Sequence, residues 1–164
     1  MRGGSEGRPG RPASGRRFES DPAAPDFVFE ASIPGPPVGK GRPRASTRGG
    51  FVRLYTPPKT AQWEGLAAVV LRGLWGGQPP VEDPVSVGIL ALFPRPQRMV
   101  WKRKPMPREP YAQKPDLDNV VKAVLDSVEK AGILKDDKQV WSIDCLALYC
   151  AGDENPRVEV RVGW

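Results

Sequence analysis

The stretch KPDLDNVVKAVLDSVEKAGILKDDKQV, residues 114–140, decides how this chain is read. Leu117, Val121, Val124, Leu125 and Val128 recur at i, i+4, i+7, i+8 and i+11, which puts them on one face of an α-helix. Asp116 or Asp118 suits the helix cap, and Gly132 suits the left-handed position after the last turn. The spacing therefore predicts a helix over 117–131. Its start gathers two carboxylates and a carboxamide, Asp116, Asp118 and Asn119. Lys122 follows Asp118 by one turn on the same exposed face, and the turn beyond the helix carries Lys135-Asp136-Asp137-Lys138.

Outward from this helix the chain alternates between extended and helical patterns. Residues 139–150 (QVWSIDCLALYC) and 157–162 (RVEVRV) read as strands, as do VSVGILALF at 85–93 and the alternation Phe27, Phe29, Ala31. A short strand is expected over 51–55 and a helix over 58–75, with Thr56 as its cap and an apolar face of Trp63, Leu66, Ala67, Val70 and Leu71. Strands and helices do not alternate strictly. That favours an α+β fold, a small mixed sheet with two main helices packed on one face. Residues 1–26 hold five Arg, four acids, five Gly and four Pro with almost no large apolar side chain, so they are expected to be a disordered tail before a domain over 27–164. Cys145 and Cys150 fall on opposite faces of one strand, which argues against a disulfide between them and for a structural role.

Composition narrows the chemistry. The 164 residues include no His and two Cys, which excludes imidazole-based catalysis, His-ligated zinc and an all-thiolate zinc site. No apolar run approaches the length of about 18 residues that spans a membrane, and the basic N-terminus lacks the apolar segment of a secretory signal. A soluble, cytoplasmic protein working through carboxylates and lysines is expected. The net charge of +6 is unevenly spread. Residues 40–59 carry Lys40, Arg42, Arg44, Arg48, Arg53 and Lys59 with no acid, and residues 95–114 carry seven bases, among them Arg103 and Lys114, against Glu109 alone. The final 50 residues hold ten acids and six bases. Two basic, loop-like stretches interleaved with Phe51, Tyr55, Trp101 and Tyr111 suit a polyanion whose bases or sugars can be stacked upon.

An Asp at a helix start is ordinary helix chemistry, stabilising by about 1 kcal/mol, and Asp136-Asp137 alone is an ordinary turn. Taken jointly with the basic stretches, the carboxylates point further. Unit charges about 4 Å apart repel by roughly 4 kcal/mol at an effective dielectric near 20, so a converging cluster calls for a cation. Oxygen-only ligands favour a hard one, magnesium or manganese. The helix separates its ends by roughly 20 Å. Asp137 therefore reaches Asp118 only if the following strand returns beside the helix start or a second subunit contributes. Lys122 would stabilise charge developing on a scissile phosphate.

At these residues the sequence resembles the RusA family of Holliday-junction resolvases, which are mostly phage- or prophage-encoded. A basic residue, D-L-D-N, a lysine four positions after the second Asp, and a D-D-x-x-V turn all stand within 114–140. The upstream segments PVGKGRPR (37–44) and YTPPKTAQWE (55–64) also look like the family's. The resemblance implies a RusA-like homodimer that cuts four-way DNA junctions at symmetric positions with magnesium, needing no small-molecule cofactor. It implies Asp116, Asp118 and Asp137 as metal-binding catalytic carboxylates and Lys122 as the essential lysine. Asp136 and Asn119 are secondary candidates within the same motif. Lys40, Arg42 and Arg44 are implied as DNA contacts, and the basic stretch at 94–114 adds Arg103 and Lys114. The alternatives are a degenerate relative that binds junctions without cutting them, and a general phosphate- or RNA-binding module.

Overall fold

The computed structural model describes residues 28–47, 51–101 and 106–164; the expected tail over 1–26, Phe27 and Arg103 lie outside the described residues. In chain order the strands are β1 (Val28–Pro34), β2 (Arg44–Ser46), β3 (Arg53–Tyr55), β4 (Val85–Phe93), β5 (Glu109–Pro110), β6 (Val140–Tyr149) and β7 (Arg157–Gly163). Helix α1 (Pro58–Trp75) stands between β3 and β4, and α2 (Leu117–Lys130) between β5 and β6. The main sheet has the order β1-β7-β4-β6-β5, with β4 and β6 parallel and the other neighbours antiparallel. A separate hairpin pairs β2 with β3.

Alternation along the strands decides which face is covered. Val85, Val87, Ile89, Ala91 and Phe93 are buried in β4, and the register sets Ile89 beside Val160 of β7 and Cys145 of β6. Ala31 and Ile33 of β1 continue this face beyond Val160 and Val158. Both helices pack on it, giving the α+β architecture expected from the sequence. The opposite face carries polar pairs such as Arg161–Glu30 at 3.5 Å and Arg157–Glu159 at 2.7 Å.

The helices depart from expectation in rotation rather than in extent. In α1, Pro58 takes a first-turn position where its missing N–H is harmless, but the cap is Pro57 and not Thr56. The buried stripe runs Trp63, Glu64, Ala67, Leu71 and Trp75, while Leu66 is 49 % exposed and Val70 only half-buried. In α2 the buried stripe runs Val120, Ala123, Val124, Ser127 and Val128. Leu117 is exposed, and Val121 and Leu125 sit at the margin of the core. The Ser127 hydroxyl tolerates burial by donating to the Ala123 carbonyl at 2.7 Å. Gly132 takes the left-handed position expected of it, at φ 78°.

The described parts of the basic segment after β4 are more ordered than their composition suggests. Arg95, 4 % exposed in its side chain, donates to the carbonyls of Cys150 and Pro107 and to Glu109. Tyr111 stacks on Phe93 with ring centroids 3.6 Å apart and meets Tyr149 edge-on. Arg95 and Tyr111 are therefore anchors of the fold, and the Tyr111 ring is not offered to a nucleic acid. Cys145 and Cys150 are free thiols, and burial pushes Cys145 up to about 11, which makes it unreactive.

Arg108 clamps Glu154 in a two-pronged ion pair, fixing this segment to the turn before β7. That hydrogen bond from Arg108 holds the Glu154 carboxyl down at about 2, against an ordinary 4.5. A carboxyl lowered on folding stabilises above its unfolded pKa, and the contribution fades as pH falls through its folded one. Glu154→Gln is expected to lower Tm by roughly 6 °C near neutrality, from a charge-assisted bond worth about 2 kcal/mol. The gap between variant and wild type should shrink from pH 4.5 downward towards 2, which thermal melts across that range would check.

Candidate active site

Three segments far apart in sequence meet at the start of α2. The Lys40 amide donates to the Asn119 carbonyl at 2.7 Å, joining the 37–44 segment to the first turn of that helix. Thr60, in the first turn of α1, completes the junction: its hydroxyl accepts from the Gly41 amide and donates to the Gly39 carbonyl, both at 3.2 Å. Glycine is required at this contact. A Cβ on Gly39 would stand 2.5 Å from Pro115 Cβ and 3.2 Å from Asn119 Cβ. Gly39→Ala is therefore expected to displace the segment at a cost of about 1–3 kcal/mol, read as a lower Tm in thermal melts.

Beneath this joint lies a four-membered charge network. Glu64 is 1 % exposed and receives Lys40 at 3.1 Å from one side and Lys130 from the other. Lys40 also pairs with Asp126. A buried carboxylate persists only when paired in this way. Lys40, expected from the sequence to contact DNA, is thus held by two internal carboxylates and locks α1, α2 and the 37–44 segment together. The other cations of this region behave differently. Arg42, Arg44 and Lys59 line a hollow of about 450 Å3 beside Pro115. All three are exposed, and none has an acid within ion-pair distance among the described residues.

Asp116 stands at the cap position of α2, where its carbonyl accepts from the Asn119 and Val120 amides at 3.1 and 3.2 Å. Its side chain, however, makes no capping hydrogen bond and is exposed. Ordinary capping does not account for this carboxylate. Asp118, in the first turn of α2, is exposed and meets Lys122 Nζ at 3.2 Å. An exposed i,i+4 pair is worth only a few tenths of a kcal/mol, so both groups are readily redirected to a ligand. Lys114 and Asp116 border a second hollow, of about 400 Å3, that reaches Ala147 on β6.

The far end of α2 separates two neighbouring acids by role. Asp136 caps a single turn of 3-10 helix at Asp137–Gln139: it accepts from the Lys138 amide at 3.0 Å, and Gln139 closes a capping box. The Lys138 ammonium, 2.8 Å from the other carboxylate oxygen, is the main cause of its lowered pKa, with the amide hydrogen bond adding to it. Asp136 is committed to structure. Asp137 has no such duty and is exposed. Of the candidates, the fold brings Asp116, Asp118, Asn119 and Lys122 together at one end of α2. It leaves Asp137 at the other end, with about 20 Å of helix between. Among the described residues, no three His, Cys, Asp or Glu side chains lie close enough to hold a metal ion.

The model of the family described as endodeoxyribonuclease RusA matches residues 34–163. The chain belongs to the RusA family. It is 32 % identical over 136 residues to the uncharacterized protein YqaN of Bacillus subtilis, covering 80 % of this chain and 92 % of that protein. It is 26 % identical over 125 residues to the crossover junction endodeoxyribonuclease RusA of Aquifex aeolicus, covering 76 % of this chain and 84 % of that one. The matched region of the RusA family contains every described element from the end of β1 to β7, and with them all the candidate carboxylates.

Proposed function

We propose that this protein is a magnesium-dependent endonuclease that resolves four-way DNA junctions during recombination or repair, acting in the cytoplasm of a bacterium, where its gene is chromosomal or phage-borne. The observation that carries the reading is the pair of exposed carboxylates at the start of α2, with no capping duty, set beside a cation-lined hollow. The donor chemistry suits a hard cation, whereas the placement of Asp137 does not complete a site within one chain. We therefore assign the metal site to a homodimer, with Asp116 and Asp118 from one protomer and Asp137 of the partner subunit.

The edge of β6 supports this arrangement. Beyond β4, and among the described residues, only its last residues are paired, with β5 at Leu148 and Tyr149 and through the Tyr111 amide at Ala147. The rest of that edge displays Trp141, 56 % exposed, and Ile143, 45 % exposed. Trp141 sits at the register shift against β4. Long apolar edges invite strand pairing. Two copies joined antiparallel along this edge would carry the start of β6, next to Asp137, towards the partner's Ala147 end and its neighbouring Asp116. A two-fold dimer also matches the symmetry of a junction cut on two strands.

In this site a magnesium ion would activate water and neutralise charge on the scissile phosphate. Asp116, Asp118 and Asp137 of the partner subunit would hold that ion, and Lys122, released from Asp118, would stabilise negative charge on the phosphate oxygen. Arg42, Arg44 and Lys59 grip the backbone of an adjacent arm, and Lys114 flanks the carboxylates. Chelation by EDTA should abolish cutting of a synthetic junction. Magnesium or manganese should restore it. Cutting at full rate in EDTA would remove the metal from the account.

A further inference from the structure

Building on the junction reading, we infer that the β2–β3 hairpin is the element that recognises the branch point, laying an apolar face against unstacked bases while its opposite face holds phosphates. The register divides the hairpin by chemistry. Arg44 pairs with Tyr55 and Ser46 with Arg53, so these four share one face; Ala45 pairs with Leu54, on the other. The first face joins the hollow lined by Arg42, Arg44 and Lys59. The second exposes 72 % of Leu54, and the residues leading into β3 add Val52, exposed to the same degree, and Phe51, exposed by 75 %.

A two-stranded hairpin that leaves both faces in water is marginal by itself, and among the described residues this one joins no other sheet. Its partner is identified by charge. Residues 40–59 contain six bases and no acid, which suits a polyanion and disfavours an ordinary protein surface. Linear duplex DNA offers the phosphates but hides its base faces. A branch point offers both, because bases at the crossover unstack readily. Apolar side chains entering such steps are an established way to hold distorted DNA, and stacking on open bases tolerates any sequence. The hairpin thereby supplies preference for structure rather than for sequence.

The test uses the full-length protein and a four-way junction carrying 2-aminopurine at the branch point, in calcium to keep the arms stacked. Wild type is expected to raise the fluorescence as the base unstacks. The double variant Val52→Ser with Leu54→Ser should lose that rise. It should also lose about tenfold in preference for junction over linear duplex, with duplex affinity held. A variant that keeps both the rise and the preference overturns the inference. So does an equal loss on junction and duplex, which would mark a general contact, or a fall from dimer to monomer by light scattering, which would mark a contact between copies. If wild type itself shows no junction preference, the resolvase reading fails. Affinity for a single-stranded 20-mer then decides the hairpin's role: loss in the variant supports base contact, and unchanged affinity overturns it.

Discussion

Asp118→Asn is expected to leave junction binding intact and to slow cleavage by about a thousandfold, the order lost when a metal's transition-state stabilisation is removed. The substitution keeps the side chain's size and deletes its charge. Folding should hardly notice, since Asp118 is exposed and its bond to Lys122 is an exposed i,i+4 pair. Binding should if anything tighten, because a negative charge facing DNA is gone, and its salt dependence should persist with a slope of about −0.9 per neutralised phosphate. Gel-shift titration and single-turnover cleavage on the same junction separate the two effects. A variant that cuts at the wild-type rate would remove Asp118 from the site. Junction binding without cleavage by the wild type would instead favour the degenerate-relative reading.

The second large effect is a restoration. Asp118→Asn and Asp137→Asn should each be inactive alone. If each site draws Asp118 from one protomer and Asp137 of the partner subunit, a mixed dimer contains one doubly defective site and one intact site. Refolding the two inactive proteins together should therefore recover about a quarter of the wild-type sites by random pairing, read as nicking of a single strand. Sites built within one chain would stay dead in every mixture. Because both inputs are inactive, any activity above their sum is informative.

Much of this architecture was legible in the sequence because hydrophobic period and punctuation are local signals. Pro58 opens α1, Gly132 follows α2, and 85–93 forms a strand, as expected. The rotation of α2 was not legible. Leu117, Val121, Val124, Leu125 and Val128 form a plausible stripe, but Val120, Ala123, Val124, Ser127 and Val128 form another, and packing against the sheet selects the second. The roles of the basic residues were less legible still. Charge counting treats Lys40 and Arg42 alike, yet Lys40 finds Glu64 and Asp126 across long stretches of chain while Arg42 finds no acid among the described residues. Arg95 and Tyr111 were absorbed into the fold in the same way. Pairing distant in sequence leaves no periodic trace. The buried Glu64 could have been suspected from its position on the apolar side of α1, where a carboxylate persists only with partners. Asp116 and Asp136 made the same point for acids: one sits at a helix start without capping it, and the other caps a turn beside an idle neighbour.

Metal-dependent cutting selective for branched DNA is read out by incubating the wild-type protein with magnesium and an end-labelled four-way junction, alongside a linear duplex of the same sequence. Paired nicks are expected at symmetry-related positions in the junction, yielding two nicked duplexes, with the linear duplex left whole. Equal cutting of both substrates, or an uncut junction in magnesium and manganese alike, would contradict it.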